Sequence, residues 1–273
     1  MSFLDGSPFV TDDDPLAVEV GTLGVASDIH GNPFALGAVL ADGADEGVDR
    51  WLVLGDIVAM GPAPGEVMDQ LDGVDLVAVV GGNTDRYVLT DDRPPPSLTD
   101  VAADPSLLAL LVELAGSFAW TRGYLAALGH LDTLRSFRAT ARLAFPDGTD
   151  VLAVHASQVA DEGRGIAPDV DGGELGLLFP APSASLVFGG HTHETTDVTY
   201  DGVRYVNPGS VSNHPRPDHD ARYCIVRLDG DGHRIDYRDV PYEKEQAVEA
   251  ILSCGIPGAD RIVRRFFTPA DGG

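Results

Sequence analysis

Five short apolar runs, each followed at once by glycine or a polar residue, constrain the fold of this 273-residue chain most strongly. The runs are TLGVAS at 22, WLVL at 51, LVAVV at 76, VLAV at 151 and SLVF at 185. Short runs of aliphatic and β-branched residues that end at glycine are typical of buried strands. Helical patterns lie between several of them, at 33–41 and at about 105–114. The sequence therefore predicts an α/β fold.

The later part of the chain predicts antiparallel strands beside the parallel ones. VTYDGVRYV is expected to turn at Asp201-Gly202, and CIVRLDGDGHRIDYRDV near Gly230–Gly232. Together with the five apolar runs, these hairpins indicate one mixed sheet or two.

We expect a single domain over 1–273. Residues 1–20 are acidic and contain proline, which predicts a loosely tethered N-terminal arm. Three consecutive prolines from Pro94 and the apolar helical patterns that follow predict a helical insertion over 86–147, between the third and fourth strands. A separate cap domain is the alternative for this insertion. Residues 243–273 are expected to form a C-terminal helix and tail.

The charge balance argues against several partners. Acidic residues number 43 against 18 basic ones, which gives a net charge of −25. Such a surface repels nucleic acid backbones and anionic membranes, so we expect no non-specific binding to nucleic acid and no membrane association. No apolar run is long enough to span a bilayer, and the first ten residues lack the pattern of a secretory signal, so we expect a cytoplasmic protein. Cys224 and Cys254 are predicted to be two buried thiols.

Polar residues with metal-binding side chains follow all five apolar runs. They are Asp28 and His30, then Asp56, Asn83, His155, and finally His191 and His193. In open α/β sheets, ligands bind outside the carboxyl ends of the strands, so seven potential metal ligands are expected at one edge. The last two lie at i and i+2, where extended backbone directs both side chains the same way.

The same residues carry a family resemblance. DIHGN (28–32), GD (55–56), GNTD (82–85), VHAS (154–157) and GHTH (190–193) resemble the five sequence blocks of the calcineurin-like metallophosphoesterase superfamily, in the expected order. NPGS (207–210) and VPY (240–242) resemble its bacterial and archaeal predicted-phosphodiesterase branch. The resemblance extends from about Thr22 to Tyr242. It implies two packed mixed β-sheets flanked by helices.

The resemblance also implies a dinuclear metal site. Asp28, His30, Asp56 and His193 would bind one ion, and Asp56, Asn83, His155 and His191 the other, with Asp56 bridging. Carboxylate, amide and imidazole ligands favour two divalent ions such as Mn²⁺, Fe²⁺, Zn²⁺ or Ni²⁺. The implied function is a phosphodiesterase that hydrolyses P–O bonds of a small phosphorylated substrate by attack of a metal-bridging hydroxide. Asp56, Asn83 and His191 are the residues to which we assign catalytic roles.

Other interpretations stay open. The chain resembles a family whose fold could also serve as a scaffold or regulatory protein of low or no activity. Protein or nucleotide phosphomonoesters are alternative substrates. An amidohydrolase is disfavoured because that family places His-x-His after its first strand, and a serine hydrolase is disfavoured because GxSxG is absent. Native metal, substrate and oligomeric state are not predicted.

Predictions for other polar residues concern the substrate and the leaving group. Arg86 and Asn32 are the candidate substrate contacts, Asn32 also being a good N-cap before Pro33. Thr84 occupies the position at which many relatives carry a histidine thought to protonate the leaving group, and its hydroxyl is too weak an acid for that role. Asn207-Pro208-Gly209 is expected to brace the GHTH loop.

Four histidines lie outside the predicted ligand set. His214 and His219, near Arg216, are predicted in a solvated loop. His130 and His233 are predicted at the surface or in turns.

Overall fold

The computed structural model of the chain describes residues 7–11, 14–18, 21–214, 218–228 and 232–268. The strands in these ranges form two sheets. The first sheet contains β1 (Leu16–Ala17), β5 (Ala141–Ala144), β6 (Asp150–Ala153), β7 (Leu186–Phe188), β8 (Thr196–Tyr200) and β9 (Val203–Asn207). The second contains β2 (Thr22–Ala26), β3 (Arg50–Leu54), β4 (Leu76–Val80), β10 (Ala221–Leu228) and β11 (His233–Val240).

Both sheets are mixed. The first has the spatial order β1-β5-β6-β7-β9-β8, in which β6, β7 and β9 run parallel. The second has the order β11-β10-β2-β3-β4, in which β2, β3 and β4 run parallel and β10 lies antiparallel to β2. The five apolar runs thus form β2, β3, β4, β6 and β7, and the predicted α/β fold of two mixed sheets flanked by helices is confirmed.

Alternate residues of the two sheets fill the space between them. Val25 and Leu54 from the second sheet meet Val151 and Phe188 from the first, each at most 1% exposed. Burying an aliphatic or aromatic side chain of this kind contributes about 1.5–3 kcal/mol. The sandwich fixes the strand ends rigidly at its edge.

Helices cover the outer faces of the sandwich. In chain order they are α1 (Pro33–Asp45), α2 (Pro64–Asp72), α3 (Asn83–Leu89), α4 (Leu98–Ala103), α5 (Leu108–Leu128), α6 (Leu131–Arg135), α7 (Gly172–Leu178), α8 (Lys244–Ser253) and α9 (Ala259–Phe266). Helix α1 packs on the second sheet through Leu36 and Val39, and α7 packs on the first through Leu175. None of the helices in the described ranges is both long and apolar enough to cross a membrane.

The two hairpins were predicted at the right places. Strands β8 and β9 are joined at Asp201 and Gly202, which both have positive φ (49° and 79°), as a tight type I′ turn requires. Strands β10 and β11 are antiparallel over their whole length. The predicted turn between them, near Gly230–Gly232, falls largely outside the described residues.

The N-terminal arm and the helical insertion each differ in part from the prediction. The N-terminal arm is not loose where it is described, because Phe9 is 5% exposed and β1 pairs with β5. Phe9 occupies space beside Gly81 that a Cβ at that glycine would fill. The insertion over 86–147 is helical as far as Arg135, but its end forms β5, an inner strand of the first sheet.

The C-terminal region is more ordered than a single helix and tail. Two helices, α8 and α9, follow the last strand, and Ile251, Ile256 and Ile262 form a small core between them. Cys224 is buried as predicted, whereas Cys254 is only partly buried at the end of α8.

Candidate metal centre

The residues predicted as metal ligands have an unusual backbone conformation. Five of them have positive φ although none is glycine. They are Asp28 (56°), His30 (50°), Asp56 (53°), His191 (68°) and His193 (62°). A left-handed conformation costs such residues about 1–2 kcal/mol each and persists only where surrounding contacts impose it. Strain concentrated at one edge of the sandwich marks that edge as a candidate site.

Backbone hydrogen bonds between the strand ends hold these conformations. The N–H of Asp28 donates to the carbonyl of Gly55 at 3.0 Å, and the N–H of His30 donates to that of Asp56 at 2.8 Å. The turns after β2 and β3 are therefore tied to each other. On the other sheet, the N–H of Gly190 donates to the carbonyl of His155 at 2.7 Å, which ties the turns after β6 and β7.

Four of the predicted ligands form one compact cluster. Asp28, His30, Asp56 and His193 each offer one ligand atom, and these atoms lie within 4.8 Å of one another. The Nε2 atoms of His30 and His193 are 3.2 Å apart, and His193 Nε2 is 3.3 Å from Asp28 Oδ1. Two imidazoles and two carboxylates at this spacing could hold a divalent cation.

The other three predicted ligands meet around an amide oxygen. Asn83 Oδ1 lies 3.1 Å from His155 Nε2 and 3.1 Å from His191 Nδ1. Asp56 lies between the two groups, with Oδ1 3.4 Å from His155 Nε2 and Oδ2 3.7 Å from His30 Nε2. All seven predicted residues are thus brought together.

Backbone carbonyls orient the imidazoles. The Nδ1–H groups of three histidines donate to carbonyls of neighbouring turns: His30 to Ala59 at 3.0 Å, His155 to Leu54 at 2.7 Å and His193 to Asn213 at 2.9 Å. This tautomer leaves the Nε2 lone pair of each ring facing the centre. His191 has the opposite arrangement, with Nε2–H directed at the Gly163 carbonyl (3.0 Å) and Nδ1 facing inward. Second contacts of this kind are typical of metal-binding histidines.

The electrostatics of the ion-free cluster favour a cation. Asp28 is fully buried, and its Oδ1 has no hydrogen-bond partner in the described part of the chain. The nearby charge that this oxygen faces is the His193 ring at 3.3 Å, and a bound cation would take the place of the imidazole proton. Burial opposes the charged form of Asp28, but the adjacent His193 outweighs it and holds the pKa of Asp28 well below its usual range. The donor set and the buried carboxylate therefore fit a divalent ion.

The histidine pKa values reflect the same balance. Burial disfavours the charged ring of His193, yet the carboxylate of Asp28 raises its pKa to about 9. Burial likewise opposes charge on His155, where Asp56 and Asp28 raise the pKa. For His30, burial prevails over Asp56 and lowers the pKa.

Asp85 is a buried residue of the site that sequence reasoning missed. Its carboxylate accepts hydrogen bonds from the N–H groups of Ile57 (3.0 Å), Val58 (3.1 Å) and Gly82 (3.0 Å). It thereby joins the turn that carries Asp56 to the helix start that carries Asn83. Burial and the charge of Asp56 raise the pKa of Asp85 to about 7. The sequence places Asp85 within GNTD, but no sequence feature distinguishes it from an exposed acidic residue in a turn.

Two glycines allow the close approach of these turns. A Cβ at Gly82 would lie 2.3 Å from Asp56 Oδ1, and one at Gly190 would lie 1.8 Å from Ser27 Oγ. Neither position tolerates a side chain without movement of the turn beside it.

The predicted brace of the GHTH loop is confirmed. The Nδ2 group of Asn207 donates to the Gly190 carbonyl at 2.7 Å and to Thr192 Oγ1 at 2.9 Å, and its Oδ1 accepts from the N–H of Gly209 at 2.9 Å. Asn207 is fully buried. The Asn207 side chain therefore helps to hold the loop that carries His191 and His193.

The two predicted substrate contacts both have hydrogen-bond partners within the chain, and their role toward a substrate stays a prediction. The Arg86 guanidinium is bound by the carboxylates of Asp161 (2.6 Å), Asp92 (2.8 Å) and Glu162 (3.2 Å), so its donors already have anionic partners within the chain. Asn32 caps α1 as predicted, accepting from Ala35 N–H at 3.1 Å, and its Nδ2 donates to Ser212 Oγ at 3.0 Å. Both ends of this buried amide are therefore occupied.

The remaining histidines divide between cavity and surface. His214 is 3% exposed, so the solvated loop predicted for it is wrong. His219 is partly buried, and Arg216 lies outside the described residues. His130 and His233 have partly exposed side chains beside Asp69 and Asp147, at 3.5 and 2.9 Å.

Five of the predicted ligand side chains open into a cavity of about 480 Å³. His30, Asp56, Asn83, His191 and His193 line it, together with Thr84. Thr84 donates its backbone N–H to Asp56 Oδ1 at 2.9 Å, whereas its buried hydroxyl has no partner among the described residues.

Known proteins match most of this chain in sequence or in fold. An uncharacterised protein from Methanocaldococcus jannaschii is 28% identical over 256 residues, which cover 86% of this chain and 93% of that protein. The crystal structure of a hypothetical protein from Pyrococcus horikoshii OT3 superposes with a TM-score of 0.72 at 20% identity, over 91% of this chain and 99% of that one. The crystal structure of a metallophosphoesterase from Sphaerobacter thermophilus superposes with a TM-score of 0.67 at 25% identity, over 91% and 98%.

The family model that matches is that of the calcineurin-like phosphoesterase superfamily domain, over residues 22–231. This range contains all seven predicted metal ligands. The chain therefore belongs to the calcineurin-like phosphoesterase superfamily.

Proposed function

We propose that this protein hydrolyses phosphate esters at a dinuclear metal centre, with diesters of small molecules as the preferred class. The observation that carries the proposal is the convergence of seven ligand side chains on one edge, with imidazole nitrogens facing inward around the buried carboxylates of Asp28 and Asp56. A relative that is 25% identical over most of its length is described as a metallophosphoesterase, which supports the same assignment.

The ligands divide into two sets in this proposal. Asp28, His30, Asp56 and His193 hold one ion, and Asp56, Asn83, His155 and His191 hold the other. The position of Asp56 supports its role as the shared ligand, because its two oxygens face different histidines. Oxygen and imidazole donors suit Mn²⁺, Fe²⁺, Zn²⁺ or Ni²⁺, and we take Mn²⁺ as the first ion to test. Divalent ions bound there would supply Lewis acidity and a deprotonated water near neutral pH.

The chain's own groups orient this chemistry. The carbonyls of Leu54, Ala59 and Asn213 fix the tautomers of three histidines, so that no ring has to reorient when an ion binds. Asp85 holds the turns of Asp56 and Asn83 in register. Asp56, Asn83 and His191 are the catalytic residues of the proposal, since all three line the cavity in which a phosphate would bind.

The proposed reaction has no strong acid at the position of Thr84. Departure of the leaving group then depends on its own stability as an anion, or on protonation by solvent. We expect log kcat to fall steeply as the leaving-group pKa rises across a series of aryl methyl phosphates. A flat dependence would mean that another residue donates the proton.

Metal-restored hydrolysis tests the proposed function. The protein is stripped with a chelator and reloaded with Mn²⁺, and release of 4-nitrophenolate is measured from bis(4-nitrophenyl) phosphate and from 4-nitrophenyl phosphate. The proposal expects turnover that requires the metal and favours the diester. Full metal occupancy without turnover of either substrate would favour a scaffold on this fold. A preference for the monoester would reassign the substrate class.

A further inference from the structure

A second, larger cavity adjoins the cavity of the candidate metal centre. It has a volume of about 920 Å³, within the usual range for small-molecule sites. The residues that line both cavities are Met60, Asn83, Thr84, Arg265 and Phe266. Because these walls are shared, a ligand whose phosphate lies at the metal centre can extend directly into the larger cavity.

The wall of the larger cavity is largely apolar and aromatic. Tyr87 and Phe118 form an edge-to-face pair with ring centroids 5.3 Å apart, and Phe266 contributes a third ring. Such rings bind flat organic groups by stacking and by edge contacts. The wall therefore fits an aromatic or otherwise planar apolar moiety.

Two buried hydroxyls in this wall have no protein partner. Thr84 is 5% exposed and Ser117 is 2% exposed. Neither Thr84 Oγ1 nor Ser117 Oγ has a hydrogen-bond partner in the described part of the chain. Since buried hydroxyls are normally hydrogen-bonded, both point to a polar ligand atom in the cavity.

Helix α9 brings a cation to the junction of the two cavities. Arg265 is exposed and forms no ion pair with any described carboxylate, although the chain carries a net charge of −25. Its neighbour on the helix, Arg261, is bound to Glu113 at 2.7 Å. An arginine without a carboxylate partner beside a phosphate site is suited to bind an anionic oxygen.

Helix α9 lies beyond the part of the chain that matches the family model, which ends at residue 231. The candidate metal ligands come from the matched region, and so do Tyr87 and Phe118 of the larger cavity, whereas Arg265 and Phe266 lie after it. Helix α9 therefore supplies one side of the larger cavity.

We propose that the 920 Å³ cavity binds the organic group of a phosphate ester with an aromatic or planar apolar substituent, and that α9 completes it. Arg265 binds a phosphate oxygen at the junction, and Phe266 packs against the planar group. This inference rests on the proposed function, because it places the phosphate at the metal centre.

Calorimetric binding of two non-hydrolysable phosphonates tests the inference. The Mn²⁺-loaded protein is titrated with phenylphosphonate and with methylphosphonate, which share a phosphonate group and differ in the aromatic ring. We expect phenylphosphonate to bind about tenfold tighter, because its ring is buried in the larger cavity.

Three variants assign this preference to residues. Phe266→Leu keeps an apolar side chain in the small core of α9 and is expected to reduce the phenyl preference about fivefold. Arg265→Ala is expected to weaken both phosphonates about tenfold and to leave the preference unchanged. Arg135→Ala removes the same charge from α6, outside both cavity linings, and is expected to change neither affinity.

The outcomes separate the two proposals. Metal-dependent binding of both phosphonates with equal affinity, unchanged in Phe266→Leu and Arg265→Ala, would overturn the cavity assignment and leave the metal centre intact. Absence of metal-dependent binding of either phosphonate to the wild-type protein would overturn the proposed function and this inference with it.

Discussion

The two walls of the combined cavity are built differently. One wall consists of strand ends, where five predicted ligand residues have left-handed backbones and four imidazoles are held by backbone carbonyls. The other consists of helices α3, α5 and α9, whose side chains line the cavity from ordinary helical positions. The strand-end wall is held by hydrogen bonds between neighbouring turns, whereas Arg265 on the helical wall is exposed and pairs with no carboxylate among the described residues.

We therefore expect the two walls to have different roles, metal binding at the strand ends and substrate recognition at the helices. Ligand atoms around a metal pair tolerate little displacement, so the strand-end wall is fixed by backbone contacts from both sheets. Side chains that contact the organic part of a substrate can be exchanged without disturbing the sandwich. Changes in the strand-end wall should therefore act on metal binding and turnover, and changes in the helical wall on substrate preference.

The largest effect is expected from Asp56→Asn, which removes the charge of the shared ligand. We expect kcat/KM to fall by more than about 1,000-fold, because ligand charge for both ions is lost. The asparagine retains an oxygen that can accept the Thr84 N–H, so the fold should survive. Circular dichroism and metal analysis accompany the kinetic assay. Asp132→Asn, at an exposed site on α6, serves as the control, and activity close to wild type in Asp56→Asn would refute the bridging role.

A smaller effect is expected at Asn207, which touches no predicted ligand side chain. Asn207→Ala removes the donors that hold the GHTH loop, and metal affinity should fall by about 10–100-fold, as for other groups that orient ligands. The free energy of unfolding should fall by about 1–3 kcal/mol, because buried carbonyls lose their donor. Competition with a fluorescent chelator measures the metal affinity. A folded variant with unchanged metal affinity would show that the strand-end wall does not depend on this brace.

Metal affinity should rise with pH. The pKa of His193 is raised to about 9 in the ion-free chain, so the proton on Nε2 must leave before an ion can bind. Below that value, apparent affinity should increase up to about tenfold per pH unit. Titrations between pH 6.5 and 8.5 check the slope, and His193→Asn should flatten it. A pH-independent affinity in the wild-type protein would argue against His193 as a ligand.

The stability of the protein without metal should fall as pH rises, in contrast to its metal affinity. A histidine whose pKa is raised from 6.5 to about 9 contributes stability that is complete below 6.5 and is lost as pH rises through 9. Thermal unfolding with and without Mn²⁺ should therefore show a larger stabilisation by the ion at pH 8.5 than at pH 6.5.

The smallest effect on activity is expected at Arg86. Its removal in Arg86→Ala leaves the buried Asp161 without its partner, so the free energy of unfolding should fall by about 2–3 kcal/mol. KM for bis(4-nitrophenyl) phosphate should stay within about twofold, since Arg86 does not line either cavity. A large rise in KM with unchanged stability would restore Arg86 as a phosphate contact.

The strand-end wall could be predicted from the sequence because each of its signals is local. A predicted ligand follows each apolar run within three residues, and the carboxyl ends of parallel strands share an edge, so the placement of Asp28 or His155 needs no tertiary information. Asn32 as a helix cap and Asn207 as a brace followed from equally local rules.

The helical wall could not be predicted in this way. Phe118 and Phe266 lie far apart in the sequence, so no local pattern relates them. They line one cavity because α9 packs beside α5. The ion pair of Arg86 could not be predicted for the same reason, because its partner Asp161 lies 75 residues away. The role of Asp85 depends on its burial, which a turn sequence does not reveal.

The central claim, a dinuclear centre at the strand ends, is tested most directly by counting ions. The protein is loaded with excess Mn²⁺, freed of unbound metal by gel filtration and analysed by mass spectrometry for metal per chain. The account predicts two ions per chain in the wild-type protein. Retention of none, or saturation at one, would contradict it.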